Sequence, residues 1–324
     1  PSDLPKLVEI LRQVAKEYAD IKIEINEETG ENLMSGMGEL HLEIIENRIK
    51  TEKGLNVRTG PPIVVYREAV TKPSPLVESR TPNGHNILYF SIEPLEDEVY
   101  EAITKRELPE ERMKKRAEQT WAKLSKIGVS NEEARQYKEI YKGNVFQDRT
   151  RGIVLLGEIM DSIMDGWRLI IDAGPLAKEP LLKTKIILHD AKIHVDHMHR
   201  GPAQVYPAVR LAMHDAMHKA GAALLEPVQT HRVEAPVEFM GAVTSLISSK
   251  RGELIDVEQE SETIVIKAKL PVSEMLGWSN DLRSSTEGRG VSSLIDQTFQ
   301  KMPSELQPNV IKKIRTRKGL AENQ

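Results

Sequence analysis

The sequence predicts a multidomain α+β chain in which two ferredoxin-like βαββαβ units, the first lacking its initial strand, flank a central α/β domain with a helical insertion. Three observations carry this. Apolar residues near both ends alternate between helical and strand spacing in the same order. The composition changes at Pro73 and Pro75 and again at Glu226-Pro227. The length, 324 residues, suits two or three separate cores.

The first unit, 1–72, opens with a helix capped by Ser2 or Asp3, with Leu4, Leu7, Ile10, Leu11 and Val14 at helical spacing. Ile21 to Ile25 alternate as a strand, Glu28-Thr29-Gly30 makes a turn, and Asn32 to Ser35 forms a second strand. A helix follows over about 38–53. A closing strand is expected near Asn56-Val57-Arg58, with Ile63 to Tyr66 after Pro61-Pro62. The chain begins at Pro1, without methionine, and is expected to be part of something longer.

The central domain, 73–227, is expected to be completed by the tail, 304–324. Arg80 to His85 forms a loop tip before a strand at Ile87 to Ile92. The charged stretches Glu96 to Lys142 and Arg149 to Asp165 read as helices with an apolar stripe. Leu181 to Val195 returns to strand, with Ile187, His189, Ala191, Ile193 and Val195 on one face. A helix is expected from Pro207 to about Gly221. The last unit, 228–303, gives strand Val228–Phe239, helix 241–249, strands Leu254–Gln259 and Thr263–Leu270, a helix at 274–284 and a strand at 290–298. The tail, with Lys312 to Lys318, reads as a basic helix.

Composition excludes several functions. There is no cysteine, so no disulfide, thiolate zinc site or cysteine nucleophile, which fits a reducing cytosol. The net charge of −4 gives no global attraction to nucleic acid, and 4% aromatic residues leave little for base-stacking platforms. No apolar run approaches the ~18–20 residues of a membrane span, so no membrane partner is expected. No G-x-x-x-x-G-K-[ST] loop occurs, and Gly36-Met37-Gly38-Glu39 lacks the lysine that a phosphate loop needs.

Two histidine groups invite a metal. His214 and His218 stand at i and i+4 with Asp215 between them, as in a zinc hydrolase, but Asp is a methylene shorter than the usual Glu and no third ligand follows. A polar helix face explains them more simply, though the hydrolase stays as the alternative. His194, His197 and His199 with Asp196 would have to fold back to share a metal, so a metal-free loop is preferred. That loop, Asp196 to Gln204, joins imidazoles and Arg200 to a Gly201-Pro202 break, which is poor packing material and good contact material for phosphate.

Three stretches then bring a family into view. Ser35-Gly36-Met37-Gly38-Glu39-Leu40-His41-Leu42-Glu43, Pro61-Pro62-Ile63-Val64-Val65-Tyr66-Arg67-Glu68 and His194 to Gln204 stand in the order found in the elongation factor 2 and elongation factor G family. The whole chain resembles the C-terminal half, domains III to V, of the archaeal type. The resemblance implies a cytoplasmic ribosomal translocase whose domain IV tip enters the decoding centre and follows the tRNA–mRNA duplex from the A to the P site. It implies no catalytic residue, metal or cofactor in this chain. GTP and magnesium would belong to GTPase domains upstream, which become partners along with the ribosome. His199, before Arg200-Gly201, matches the histidine that the family converts to diphthamide, which makes the diphthamide-synthesis enzymes partners too. Arg200, Gly201 and Gln204, together with Pro82, Asn83, His85 and Asn86 of the neighbouring loop, are the implied RNA contacts. Gly84 replaces the family's lysine, and Pro202 and Ala203 replace two glycines of the eukaryotic form, which should stiffen the loop.

Overall fold

The computed structural model describes residues 4–19, 21–25, 32–36, 39–52, 54–55, 57–60, 62–113 and 117–321. The chain divides into two compact units, one of residues 1–65 and 227–298 and the other of 66–226 and 299–324. It is an α+β protein throughout.

In the first unit, α1 (Leu4–Glu17) and α2 (Glu39–Thr51) accompany a hairpin of β1 (Lys22–Ile25) and β2 (Asn32–Ser35). Ile10, Leu11, Val14, Ile21, Ile45, Ile49 and Leu55 form their shared core. The expected closing strand does not form among the described residues: 57–58 and 62–66 run without strand pairing. Proline at 62 removes a backbone donor just where that pairing would start. The Ser2 or Asp3 cap, the Glu28-Thr29-Gly30 turn, Met37-Gly38 and Asn56 lie outside the described residues.

The same unit contains the βαββαβ order expected near the C-terminus. A sheet of order β10-β11-β9-β12 joins β9 (Ala222–Pro236), β10 (Glu253–Glu260), β11 (Thr263–Pro271) and β12 (Val291–Lys301). In order of appearance these strands stand 2-3-1-4, the ferredoxin-like arrangement. Helices α8 (Met240–Ser249) and α9 (Trp278–Ser285) bury Val243, Ile247, Trp278 and Leu282 against Val233, Ile264 and Ile266. The Lys250-Arg251-Gly252 stop works through a left-handed Arg251 (φ 54°), after which the Gly252 N–H caps the Ile247 carbonyl at 2.9 Å. Strand β9 starts at Ala222 rather than Val228 and passes unbroken through Glu226-Pro227, where the sequence suggested a break.

In the second unit, β3 (Arg67–Val70) pairs antiparallel with residues 222–225 of β9. Strand character thus begins at Arg67 and not at Ile63. The central sheet has the order β4-β5-β8-β7-β6, built from β4 (Val77–Arg80), β5 (Ile87–Pro94), β6 (Tyr137–Tyr141), β7 (Asn144–Asp148) and β8 (Thr184–Lys192). β7 and β8 are parallel, joined through α6 (Leu156–Asp172), while the other neighbours are antiparallel. α6 and α7 (Pro202–Lys219) share one core with Leu88, Phe90, Ile92, Ile186 and Leu188. α3 (Asp97–Thr104), α4 (Glu118–Lys126) and α5 (Asn131–Gln136) form a second core with Tyr137, Ile140 and Val145.

Three differences from the sequence reading have clear causes. The stretch 96–142 is not helical to its end, because Tyr137–Asp148 is a hairpin. Its two-residue turn puts Lys142 (φ 47°) and Gly143 (φ 72°) in the left-handed region, the type I′ geometry that matches strand twist. The alternation of β8 is broken by a bulge: Tyr89 pairs with Asp190 and Phe90 with Leu188, leaving His189 as the extra residue. The core face therefore reads Ile186, Leu188, then Ala191 and Ile193, rather than an unbroken odd-numbered row. Helix α7 starts at Pro202, five positions before Pro207, which lies inside the helix. Pro202 takes the first-turn place where a missing N–H costs nothing.

The tail forms α10 (Gln307–Arg317), with Ile314 buried. Two of its basic residues reach back onto the 176–178 loop: Arg315 donates to the Leu176 carbonyl at 2.8 Å, and Lys318 to the carbonyls of Ala177 and Lys178 at 3.2 and 2.7 Å, while Lys312, Lys313 and Arg317 are exposed. No helix among the described residues is long and apolar enough to cross a membrane.

Candidate functional site

The β5–β8 ladder ends in two loops, 81–86 and 193–201, and the structure brings nearly all the singled-out residues together there. Both lie in the second unit. The first is a tight turn in which Pro82 sets the φ its position needs, and the Gly84 N–H closes on the Thr81 carbonyl at 2.7 Å. Thr81 and Asn86 are buried and lock the turn at its base: the Thr81 N–H donates to the Asn86 carbonyl and the Asn86 N–H to Thr81 Oγ1, each at 3.0 Å.

The second loop contains one short 3-10 turn at His197–His199, capped by Asp196, whose Oδ1 accepts the Met198 N–H at 3.0 Å. That hydrogen bond, with the nearby imidazoles, holds the Asp196 carboxyl below its ordinary pKa. The loop then passes through Gly201 directly into α7.

Asparagine amides fasten the loops to each other. Asn86 Nδ2 donates to the His199 carbonyl at 2.7 Å, while its Oδ1 accepts the His194 N–H at 2.9 Å. One buried side chain thus holds the main chain on both sides of the 195–198 turn. Gln204, in the first turn of α7, accepts the Asn83 N–H at 3.0 Å, and Asn83 Nδ2 lies 3.4 Å from the His199 carbonyl. Replacing Asn86 by alanine is expected to cost about 1–3 kcal/mol, because two polar groups lose their partner at a buried point. It should also speed amide hydrogen exchange at His194; wild-type exchange there in the variant would contradict the bridging role.

Three imidazoles gather above this frame. His85 stacks on His199 with ring centroids 4.0 Å apart and planes at 31°. His194 meets His199 edge-on at 4.8 Å and 85°, and approaches His85 at 4.8 Å. His194 Nδ1 accepts the Asp196 N–H at 3.1 Å, so the proton of the neutral ring sits on Nε2. Desolvation, with His199 and His194 beside it, lowers the pKa of His85. His197 points away and is exposed, within 3.7 Å of Asp196. Val195 and Met198 are exposed as well, at 81% and 73%, an apolar presentation at the loop crest.

Arg200 has a different place from the one its type suggests. Its side chain is only 8% exposed; Nη1 stands 2.9 Å from the Glu158 carboxylate of α6, and Nη2 donates to the Val195 carbonyl at 3.1 Å. The guanidinium braces the loop from within. Sequence reasoning weighed His194 only as a candidate metal ligand and did not single out Thr81 or Glu158. His194 is recoverable only once the bulge at His189 is known, since the bulge sets which way the strand end faces.

The zinc-like pair is placed elsewhere. His214 and His218 lie along α7 with ring centroids 6.5 Å apart, and Asp215, in the position of a general base, is engaged by Lys219 at 2.7 Å. Burial, aided by Lys178 and His218, lowers the His214 pKa to about 4. Among the described residues no group of three or more His, Cys, Asp or Glu side chains is arranged to hold a metal ion.

Comparisons with known proteins agree along the length of the chain. Family models described as "Elongation Factor G, domain III", "Elongation factor G, domain IV" and "Elongation factor G C-terminus" match residues 1–61, 108–221 and 223–310. The chain is 50% identical over 321 residues to a protein named "Elongation factor 2" from Thermococcus onnurineus (strain NA1), covering 99% of this chain and 44% of that relative. Proteins of the same name from Thermococcus kodakarensis and Pyrococcus furiosus are 50% and 48% identical, with the same coverage. The chain thus spans less than half the length of these relatives. Three family matches in the right order, together with these archaeal identities, show that the chain belongs to the elongation factor G and elongation factor 2 family and carries its domains III and IV and its C-terminal domain.

Proposed function

We propose that this chain supplies the ribosome-engaging half of a GTP-dependent translocase. In this reading the two-loop tip enters the decoding centre and follows the tRNA–mRNA duplex as it moves from the A to the P site. The observation that carries it is the tip itself: two loops cross-linked by Asn86 and Asn83 at the end of a rigid ladder, displaying His85, His199 and an apolar crest. Such a surface acts by shape and contact, and its rigidity lets displacement of the domain become displacement of what it touches. GTP hydrolysis, with its magnesium, belongs to residues outside this sequence, which contains no phosphate-loop motif.

His199 is the residue modified to diphthamide in this reading, by the cell's diphthamide-synthesis enzymes. The modification adds a fixed positive charge and hydrogen-bonding groups suited to ribose and phosphate. Pro82, Asn83, His85, Asn86, Gly201 and Gln204 form the rest of the RNA-facing surface, with Asn86 and Gln204 acting through the frame. Arg200 supports the loop from inside. The cytoplasm, where ribosomes work, is the expected location.

The test is translocation by the full-length factor carrying this chain. Excising residues 82–85 is expected to slow mRNA movement by about tenfold or more, a loss typical of misplaced positioning groups, with ribosome-stimulated GTP hydrolysis retained. Translocation at the unaltered rate would remove the tip from the mechanism.

A further inference from the structure

We infer that His85 is a positioning residue for His199: its stacked ring fixes the orientation in which the His199 imidazole is displayed, and the enzyme that modifies His199 reads both loops together rather than the segment around His199 alone. This rests on the reading of His199 as the modified residue.

The geometry points this way because the two rings are not brought together by their own contact. The main chain of the first loop is set by the reciprocal Thr81–Asn86 hydrogen bonds, and the His85 N–H is held at 3.2 Å by Asn83 Oδ1. The main chain of the second is set at His199 by Asn86, at His194 by the same amide, and at Val195 by Arg200. With both backbones fixed, the ring of a half-buried His199 retains only its side-chain torsions. His85 covers one of its faces at 4.0 Å, and His194 packs against it nearly perpendicular. What remains to an approaching enzyme is the opposite face and the outer edge. A residue displayed in one orientation saves its partner the ordering cost that a freely rotating ring imposes. His85 is itself exposed at the turn, so it lies on the surface that such an enzyme meets first.

Stacking needs a flat ring, not an imidazole proton, and this separates positioning from proton transfer. The chain and its variants would be produced in an archaeal host that has the modification pathway, and the mass of the peptide containing His199 measured. The wild-type chain is expected to be modified. His85→Ala should reduce the modified fraction by about tenfold or more, as misplacement of a reacting group does. His85→Phe should restore most of it, and both variants should unfold at the wild-type denaturant concentration. Full modification of His85→Ala overturns the inference while leaving the reading of His199 intact. Equal loss in His85→Ala and His85→Phe overturns the stacking role. An unmodified wild-type chain removes the reading of His199 and the inference with it. Unmodified protein from a bacterial host gives a second measurement: a ring-to-ring nuclear Overhauser contact between His85 and His199 is expected, and its absence overturns the proposal whatever the variants do.

Discussion

Replacing Glu68 by alanine is expected to destabilise the second unit by about 3–5 kcal/mol, since three buried N–H groups lose their acceptor at once. Glu68 is fully buried, and its carboxylate accepts the N–H groups of Leu176, Ala177 and Glu179 at 2.7, 2.8 and 3.0 Å. Its own backbone joins the same turn: its N–H donates to the Pro180 carbonyl at 2.9 Å and its carbonyl accepts the Leu182 N–H at 2.8 Å. Burial pushes the Glu68 carboxyl above its ordinary pKa, while the three donors pull it back. Gly174 is required beside it, because a Cβ there would come within 2.4 Å of the carboxylate. α10 holds the other side of the same loop through the carbonyls of Leu176, Ala177 and Lys178. Glu68→Gln should also destabilise, since its amide faces donors with more donors. Equilibrium unfolding in urea checks this, and a wild-type midpoint for Glu68→Ala would show that the turn is held by other means.

The second large effect is expected at Lys185. Its side chain is 2% exposed and its ammonium meets Glu93 at 2.8 Å and Glu133 at 3.1 Å, with Glu96 also in contact. Burial alone would lower its pKa, but the hydrogen bonds it donates to Glu93 and Glu96 outweigh that, and the ammonium is held well above the ordinary lysine value. Lys185→Met leaves three carboxylates around an apolar side chain and is expected to cost about 3–5 kcal/mol, as removal of one partner from a buried ion cluster does. Because the folded-state pKa is raised, the stabilising contribution is complete below the unfolded value and fades only as pH climbs through the folded one. The deficit of Lys185→Met should therefore stay level from neutral pH to about pH 10, where free lysine titrates. A deficit that closed by pH 8 would contradict a charged Lys185.

Much of this was legible in the residues. The order of elements over 228–301 follows from hydrophobic period, most plainly in β9 and β11, which bury Val233, Ala235, Ile264, Ile266 and Ala268 against two helices, while β10 and β12 stay mostly exposed. The Tyr137–Asp148 hairpin was not, because Lys142-Gly143 is an uncommon way to write a type I′ turn and the flanking charges imitate an exposed helix. Family resemblance singled out both tip loops, and the structure places them side by side. Neither resemblance nor spacing shows that Arg200 turns inward, because that depends on Glu158, 42 residues earlier in the chain and on helix α6. Glu68 is likewise silent in sequence: an acidic residue after a strand-like run reads as solvated, and only the 174–181 turn makes it structural.

The bulge at His189 gives the tip an unequal tolerance to length change. From Thr184 to Leu188 the strand keeps one phase, and from Asp190 onward it keeps the other. Losing His189 itself would restore regular pairing and leave every later position on its present face, because Leu188 already pairs with Phe90 and Asp190 with Tyr89. Losing a residue from the regular strand just beyond it would instead turn the rest over, burying the position of His194 and exposing that of Ile193. Losing a residue from the crest at 195–198 would leave that phase untouched. Natural length variation in this arm should therefore collect at the crest and at the bulge and avoid the regular strand, although that strand lies further from anything the tip touches.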